Sequence, residues 1–392
     1  LYAVGSIVVG DYALVSGNSA NGVVTGGSIQ IDGDATVKDN PAVGLKASGS
    51  VKIGGNATLT GNNGAVVAGG SVEIGGDANI SANTSTGVSA NDNVVITGQA
   101  TLATNEDGAI VAGKNVTLGG DATITGNTAA EGGAITAGGL LLIRGNATVS
   151  QNKALNGVGG AFKVGSFEIL GDLNAKNNSA TGNGGVVYSN GTVKISSMTA
   201  EGNQALNGAV LYANGKAMIA YANLVKNVAT GDGGAIYAAG DLDLSNSNLA
   251  QNVANGKGGA IYAAGTTSLV NVTIHRNVAQ DGAGLYNAGV ATIDNSILAY
   301  NEAEGNGYDL FTATGATTTL RSSLLSNIAQ VGDVLYQLDA NYRSLLGVDP
   351  KLDVEGRLTA GSVAINAGSN ALDRDAATDL DGANRRVGIV VD

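Results

Sequence analysis

The chain contains no cysteine, no tryptophan, one histidine and two prolines in 392 residues. Without cysteine there are no disulfides and no thiolate-held metals, although the compartment stays open. With a single histidine in the chain, the serines and threonines show no companion imidazole with which to form a nucleophilic triad. Aromatic residues make up 4% and charged residues 13%, both low for a globular enzyme. No apolar run approaches the roughly 18 residues of a membrane span, so no membrane-spanning segment is expected. The net charge of −12 argues against nucleic acid, whose phosphates require a basic surface. The chain starts at Leu1 with neither Met nor a signal peptide and reads as a mature or trimmed segment.

What is abundant is glycine, 62 residues, without the every-third-residue period of collagen. The stretch DATITGNTAAEGGAITAGG, residues 121–139, has a form that recurs along the chain: a short alternating run, an asparagine, a small polar loop, a glycine pair and a second apolar run. The asparagine falls at Asn18, Asn40, Asn62, Asn83, Asn105, Asn127, Asn152, Asn178, Asn203, Asn227, Asn252, Asn277, Asn301 and Asn327. Steps are 21 or 22 residues up to Asn127 and 24 to 26 afterwards. Three residues before each asparagine sits an aliphatic or alanine (Val15, Val37, Leu59, Ile80 and so on), and four before it mostly Thr or Asn. That is a period of two, with small and aliphatic side chains inward and polar ones outward.

Two further short strands fill each unit, one like Ala134 to Gly138 and one like Asn115 to Leu118. Three strands per unit with Gly or Asn at each corner predict one coil of a parallel β-helix, stabilised by its neighbours as in any solenoid. The predicted fold class is therefore all-β: a single-stranded right-handed parallel β-helix of about 14 coils of 21–26 residues, its hand taken from parallel-crossover chirality. Residues 1–330 form the helix and residues 331–392 a small C-terminal closing module. At ~4.8 Å per coil the stack is expected to span roughly 65–70 Å. Corner glycines are expected to supply positive φ, and the asparagines to stack as a structural ladder of side-chain amides.

The repeat ITGNTAAEGGAI, with its copies LVKNVATGDGGAIY and LAQNVANGKGGAIY, resembles that of polymorphic outer-membrane proteins and autotransporter passengers. Those repeats often carry Phe at the first position, which is aliphatic here. Residues 348–353 (VDPKLD), 361–370 (GSVAINAGSN) and 379–388 (DLDGANRRVG) are similar to the closing module of bacterial surface β-helix proteins with variable C-terminal anchors. Both resemblances imply an exported, extracellular, surface-displayed rod used for adhesion, matrix or fibre building. Neither implies a reaction.

The candidate sites are few. His275, one residue past inward Ile274, is expected to point outward as a surface polar group rather than a catalytic one. Asp373, Asp375, Asp379 and Asp381 lie in DRDAATDLDG; the ordinary reading is a solvated turn, and a weak calcium site is the alternative, with spacing that departs from the EF-hand loop. Tyr188, Tyr212, Tyr237, Tyr262 and Tyr286 recur in register, either packed under adjacent loops or forming an exposed aromatic contact stripe. No glycine-rich stretch has the P-loop pattern. No catalytic residue, cofactor or metal is expected.

The function these readings support is a non-enzymatic extracellular structural or adhesive rod at the prokaryotic cell surface. Its partners would be other copies of itself, in a homo-oligomer or filament, or a surface glycan or protein ligand. The filament idea comes from the first coil, which starts in phase without a cap and leaves an open row of backbone groups for coaxial end-to-end stacking. The alternative is a polysaccharide-binding or polysaccharide-cleaving β-helix protein.

Overall fold

A computed structural model describes residues 1–328, 336–373, 378, 386–387 and 390–391. The chain divides into two compact units, Leu1–Asn190 and Gly191–Asp392. Both are stacks of parallel β-coils, and the described residues contain no helix.

In the first unit the alternating runs stack in register: Ala57–Thr60 on Ala78–Ser81, with Ala57↔Ala78 and Leu59↔Ile80. The inward members are almost fully buried, from Leu59, Ile80 and Leu102 at 0% exposure to Ala57 and Ala78 at 2–3%. Val51–Ile53 lies on Val72–Ile74, and Val66 on Val88, to make the other two faces. Each inward column therefore repeats one residue class, and β-branched side chains fill it well because the pleat holds their single χ1 preference. In the second unit, Leu242–Ala250 lies on Thr266–His275, and Ile236–Ala238 on Ile261–Ala263.

From Asn127 onward the coils gain a fourth strand of two residues. Thr128–Ala129, Lys153–Ala154 and Ser179–Ala180 pair in the first unit. Gln204–Ala205, Val228–Ala229, Val253–Ala254, Val278–Ala279 and Glu302–Ala303 pair in the second. The three-strand coil expected from the sequence therefore holds only up to Asn105. The longer step of the later repeats builds this extra face, whose alanines point inward at 0–9% exposure.

The corners also differ from expectation. All thirteen asparagines from Asn18 to Asn301 follow a residue with φ between 52° and 67°, and nine of those residues are not glycine, among them Ala82, Thr104, Lys226 and Arg276. A left-handed L-residue costs about 1–2 kcal/mol. The conformation turns the next side chain into the coil, where its amide bonds offset that cost. At the Gly-Gly corner the two glycines have different tasks. Gly233 has φ +67, whereas at Gly234 a Cβ would lie 1.9 Å from the carbonyl oxygen of Gly259 in the next coil.

Pairing of coils continues past residue 330, with Tyr336–Leu338 on Thr318–Leu320 and Leu345–Leu346 on Leu324–Leu325. Residues 349–373 then lie as a strap across the outside of the second unit's coils. The Tyr300 hydroxyl donates to Asp349, and Arg276 Nη1 to the Asp353 carbonyl at 2.7 Å. Asn248 Nδ2 donates to the Glu355 carbonyl at 3.4 Å. On the return, Asn295 exchanges two bonds with the Ser369 backbone at 2.8 and 2.9 Å.

Candidate functional surface

Four features concentrate polar or aromatic chemistry: the asparagine ladder, the aromatic stack, the corner beneath the strap and the end of the acidic segment.

In the first unit each ladder amide donates to the Oδ1 of the next, from Asn18 through Asn40, Asn62, Asn83, Asn105, Asn127 and Asn152 to Asn178, at 2.8–3.1 Å. In the second unit Asn203, Asn227, Asn252, Asn277 and Asn301 continue the pattern at 2.9–3.0 Å. From Asn40 to Asn178 and from Asn227 to Asn301 the same amides also donate to backbone carbonyls of the preceding coil, as Asn105 does to Ile80 at 2.9 Å. All are buried except Asn18, which is half-exposed. The last expected member requires a correction. Asn301 Nδ2 donates not to an asparagine but to Asp309 Oδ1, at 2.8 Å, while Asn327 is exposed and its backbone N–H donates to Asp309 Oδ2 at 2.7 Å. Asp309 sits in the column of small residues made by Ala235, Ala260 and Gly284. From there its carboxylate reaches the ladder within a single coil. An acid in an otherwise apolar column, two residues before an aromatic, was the signal that could have found it.

Tyr212, Tyr237, Tyr262 and Tyr286 stack in the second unit and are extended by Phe311, with centroids 4.5–5.2 Å apart and planes within 17°. Strict register at the coil spacing places ring over ring. Tyr212, Tyr237 and Tyr262 are half-buried and Tyr286 is buried. The stack is therefore both packed and presented, its edges toward solvent. Burial, then the neighbouring Tyr262 and Tyr212, hold the Tyr237 phenol well above its ordinary value. Lys257 Nζ lies 4.8 Å from the Tyr286 ring centroid, and its hydrogen bond to Tyr286 raises the amine. Tyr188 lies in the first unit, half-buried, in register with Lys163.

His275 is fully buried, contrary to the outward, surface-polar expectation. It does leave the coil outward, but the strap covers that side: a Cβ on Gly356 would lie 2.6 Å from His275 Nε2. Arg276 Nη1 lies 2.9 Å from Nδ1. A guanidinium can only donate, so Nδ1 is the acceptor and Nε2 carries the proton, buried and unpartnered. Burial first, then Arg276, push the imidazole down to about 4, with Asp353 pulling the other way.

The Asp309 carboxyl is pushed up to about 6 by burial, against the hydrogen bonds it accepts from Asn301, Asn327 and Ser326. Between its ordinary 3.8 and about 6 the folded chain holds a proton that the unfolded chain releases, so stability falls as pH rises through that window. For His275 the unfolded chain takes up the proton between 6.5 and about 4, so stability falls as pH drops. The two effects oppose, each on the order of 3 kcal/mol across its window. Asp309→Asn should therefore steepen acid destabilisation between pH 6.5 and 4 relative to the parent, and His275→Gln should flatten or reverse it. Denaturant midpoints at pH 4, 5, 6 and 7 check both; parallel curves for all three chains would refute the assignment.

Of the acidic segment, Asp373 is buried and accepts from Asn271 Nδ2 at 3.1 Å, whereas Asp375, Asp379 and Asp381 lie outside the described residues. Among the described residues no group of three or more acidic, His or Cys side chains could hold a metal, and no helix is long and apolar enough to cross a membrane. Compared with protein-family models, with curated proteins and with solved structures, the chain matches none.

Proposed function

We propose that this β-solenoid is a non-enzymatic structural or adhesive element displayed outside a prokaryotic cell. The observation that carries the reading is the use of its repeated polar side chains. Ladder amides bond to the next coil and the preceding backbone, and the histidine is closed in beneath the strap with Nδ1 facing Arg276. Polar chemistry is spent on holding coils in register, which suits a scaffold. The half-exposed aromatic stack offers a continuous contact surface for a glycan or a protein. The resemblance of the repeat to autotransporter passengers points to the same location.

The reading is tested in cells that produce the protein. Protease added to intact cells should degrade it, and deleting its gene should reduce attachment to surfaces or to other cells. The purified chain should leave acidic and neutral polysaccharides at their original length. Protection inside intact cells, or shortening of a polysaccharide that a point substitution abolishes, would overturn it.

A further inference from the structure

We infer that the turn of the strap at residues 353–357 is a proton-operated latch: it lies closed on the coils of the second unit while His275 is neutral, and lifts off when His275 takes up a proton. The device does not depend on the scaffold reading.

The latch is a short hairpin. Asp353 N–H donates to the Arg357 carbonyl at 2.9 Å, and Asp353 Oδ1 accepts from the backbone N–H groups of Glu355 and Arg357 at 3.0 and 2.8 Å. Three polar contacts tie this segment to the coils. Arg276 Nη1 donates to the Asp353 carbonyl at 2.7 Å, Asn248 Nδ2 to the Glu355 carbonyl at 3.4 Å, and Leu352 N–H to the Tyr300 hydroxyl at 3.4 Å. Gly356, at φ +88, closes over the imidazole, where a Cβ would lie 2.6 Å from His275 Nε2 and 3.2 Å from Asn248 Oδ1.

One guanidinium nitrogen serves both the latch and the ring: Arg276 Nη1 donates to the Asp353 carbonyl at 2.7 Å and to His275 Nδ1 at 2.9 Å. That arrangement requires a neutral imidazole. A proton on Nδ1 would set donor against donor and cation against cation, and a guanidinium cannot shed its own proton. The charged ring would also keep its second N–H, on Nε2, buried without a partner, which is costly away from water. The proton is accommodated only if Arg276 swings away from Asp353 or the turn lifts to admit water, and either movement undoes the latch.

The surrounding charges do not compensate. On the strap, Glu355 pairs with Arg357 at 3.7 Å on the surface, Lys351 is exposed, and Asp349 is held below its ordinary range by the Tyr300 hydroxyl. Asp353 is the one acid that favours the imidazolium, and burial and Arg276 outweigh it. The preceding coil's strand Leu242–Ala250 carries one charge, Asp243, at its far end opposite Ser268. The following strand Ile297–Ala299 carries none and leads to Tyr300, whose ring lies 5.2 Å from the Arg276 guanidinium. Among the described residues no carboxylate is hydrogen-bonded to the ring. With the latch closed the imidazole is held at about 4, against an ordinary 6.5. Closure is therefore at full strength above 6.5 and weakens as pH falls toward 4, and the open fraction should rise on the order of 100-fold from pH 7 to pH 4.

The test uses the full chain. Hydrogen exchange at the Leu352 amide, corrected for intrinsic rates, reads docking, and the Asn252 amide, bonded to Asn277 Oδ1 at 2.8 Å, reads the coils beneath. The single histidine allows its own titration to be followed by selective imidazole labelling and NMR. Leu352 protection should fall on the order of 100-fold between pH 7 and pH 4 while Asn252 keeps its protection. In His275→Gln, which leaves every strap carboxylate in place, Leu352 protection should change by less than about threefold. Gly356→Leu should hold the turn off at pH 7 and return the His275 titration toward its ordinary value. The latch is refuted if the parent and His275→Gln lose Leu352 protection equally, if Leu352 and Asn252 lose it together, or if Gly356→Leu exposes Leu352 and leaves the His275 titration unmoved. Should His275→Gln not fold, the Gly356→Leu titration decides alone.

Discussion

Asn252→Ala is expected to lower the stability of the second unit by about 3–5 kcal/mol, well above the usual cost of a point substitution. Asn252 Oδ1 accepts from both the backbone N–H and the Nδ2 of Asn227, at 3.0 and 2.9 Å. Its own Nδ2 donates to the Leu224 carbonyl at 2.9 Å and to Asn277 Oδ1 at 3.0 Å. Truncation removes all four bonds at a site with 0% exposure, where water cannot replace them, and strands the donors of Asn227. It also leaves Gln251 at φ 55 with nothing to offset the left-handed conformation. Because a solenoid is stabilised coil by coil, the damage should be local: hydrogen exchange at the Asn227 amide should accelerate before that of distant coils. The same change at half-exposed Asn18 should cost about 1 kcal/mol or less. Equal costs at the two positions would show that the ladder is not what holds these corners.

Gly234→Ala should be comparably damaging, at about 3 kcal/mol or more, or should prevent folding of the second unit. The new Cβ would lie 1.9 Å from the Gly259 carbonyl oxygen and 2.8 Å from the Val253 backbone. Both obstacles are main chain, so no rotamer change relieves them. Moving the coils apart would break the corner bonds from Gly234 N to Gly258 O at 2.9 Å and from Ala235 N to Ala260 O at 3.0 Å. The contrast is Gly10→Ala, where no atom lies within 4 Å and the change should fall within about 0.5 kcal/mol. Thermal and denaturant unfolding of the two variants check the pair. Tolerance of alanine at Gly234 would mean that the coils can separate there without losing their register.

These two expectations mark how much of the structure was legible beforehand. The period-two runs ending in asparagine named the inward columns, because a strand side chain has only two directions and a solenoid repeats the choice in every coil. Leu59, Ile80 and Leu102, each at 0% exposure, follow directly. The same logic placed Tyr237 beside Tyr262 and one asparagine beneath another. The role of Gly234 was less legible: glycine marks a corner, but whether φ or the approach of another backbone requires it depends on the neighbouring coil. Asn327 had the right spacing, yet a fold-back within one coil put Asp309 at the end of the ladder instead.

The sequence by itself therefore determined the fold class, the inward columns and the amide ladder, since these depend on local alternation and on equality between neighbouring repeats. Tertiary structure alone decided that the longer coils carry a fourth strand, that nine of the thirteen ladder corners place a non-glycine residue in the left-handed region, and that Asp309 closes the ladder. It also decided that the strap buries His275 and that the Asn271 amide oxygen is buried without a partner. The strap is the clearest case. Asp353 and Glu355 meet Arg276 and Asn248 across separations of 77 and 107 residues, and no periodicity in the repeat encodes a contact made by a segment that does not repeat.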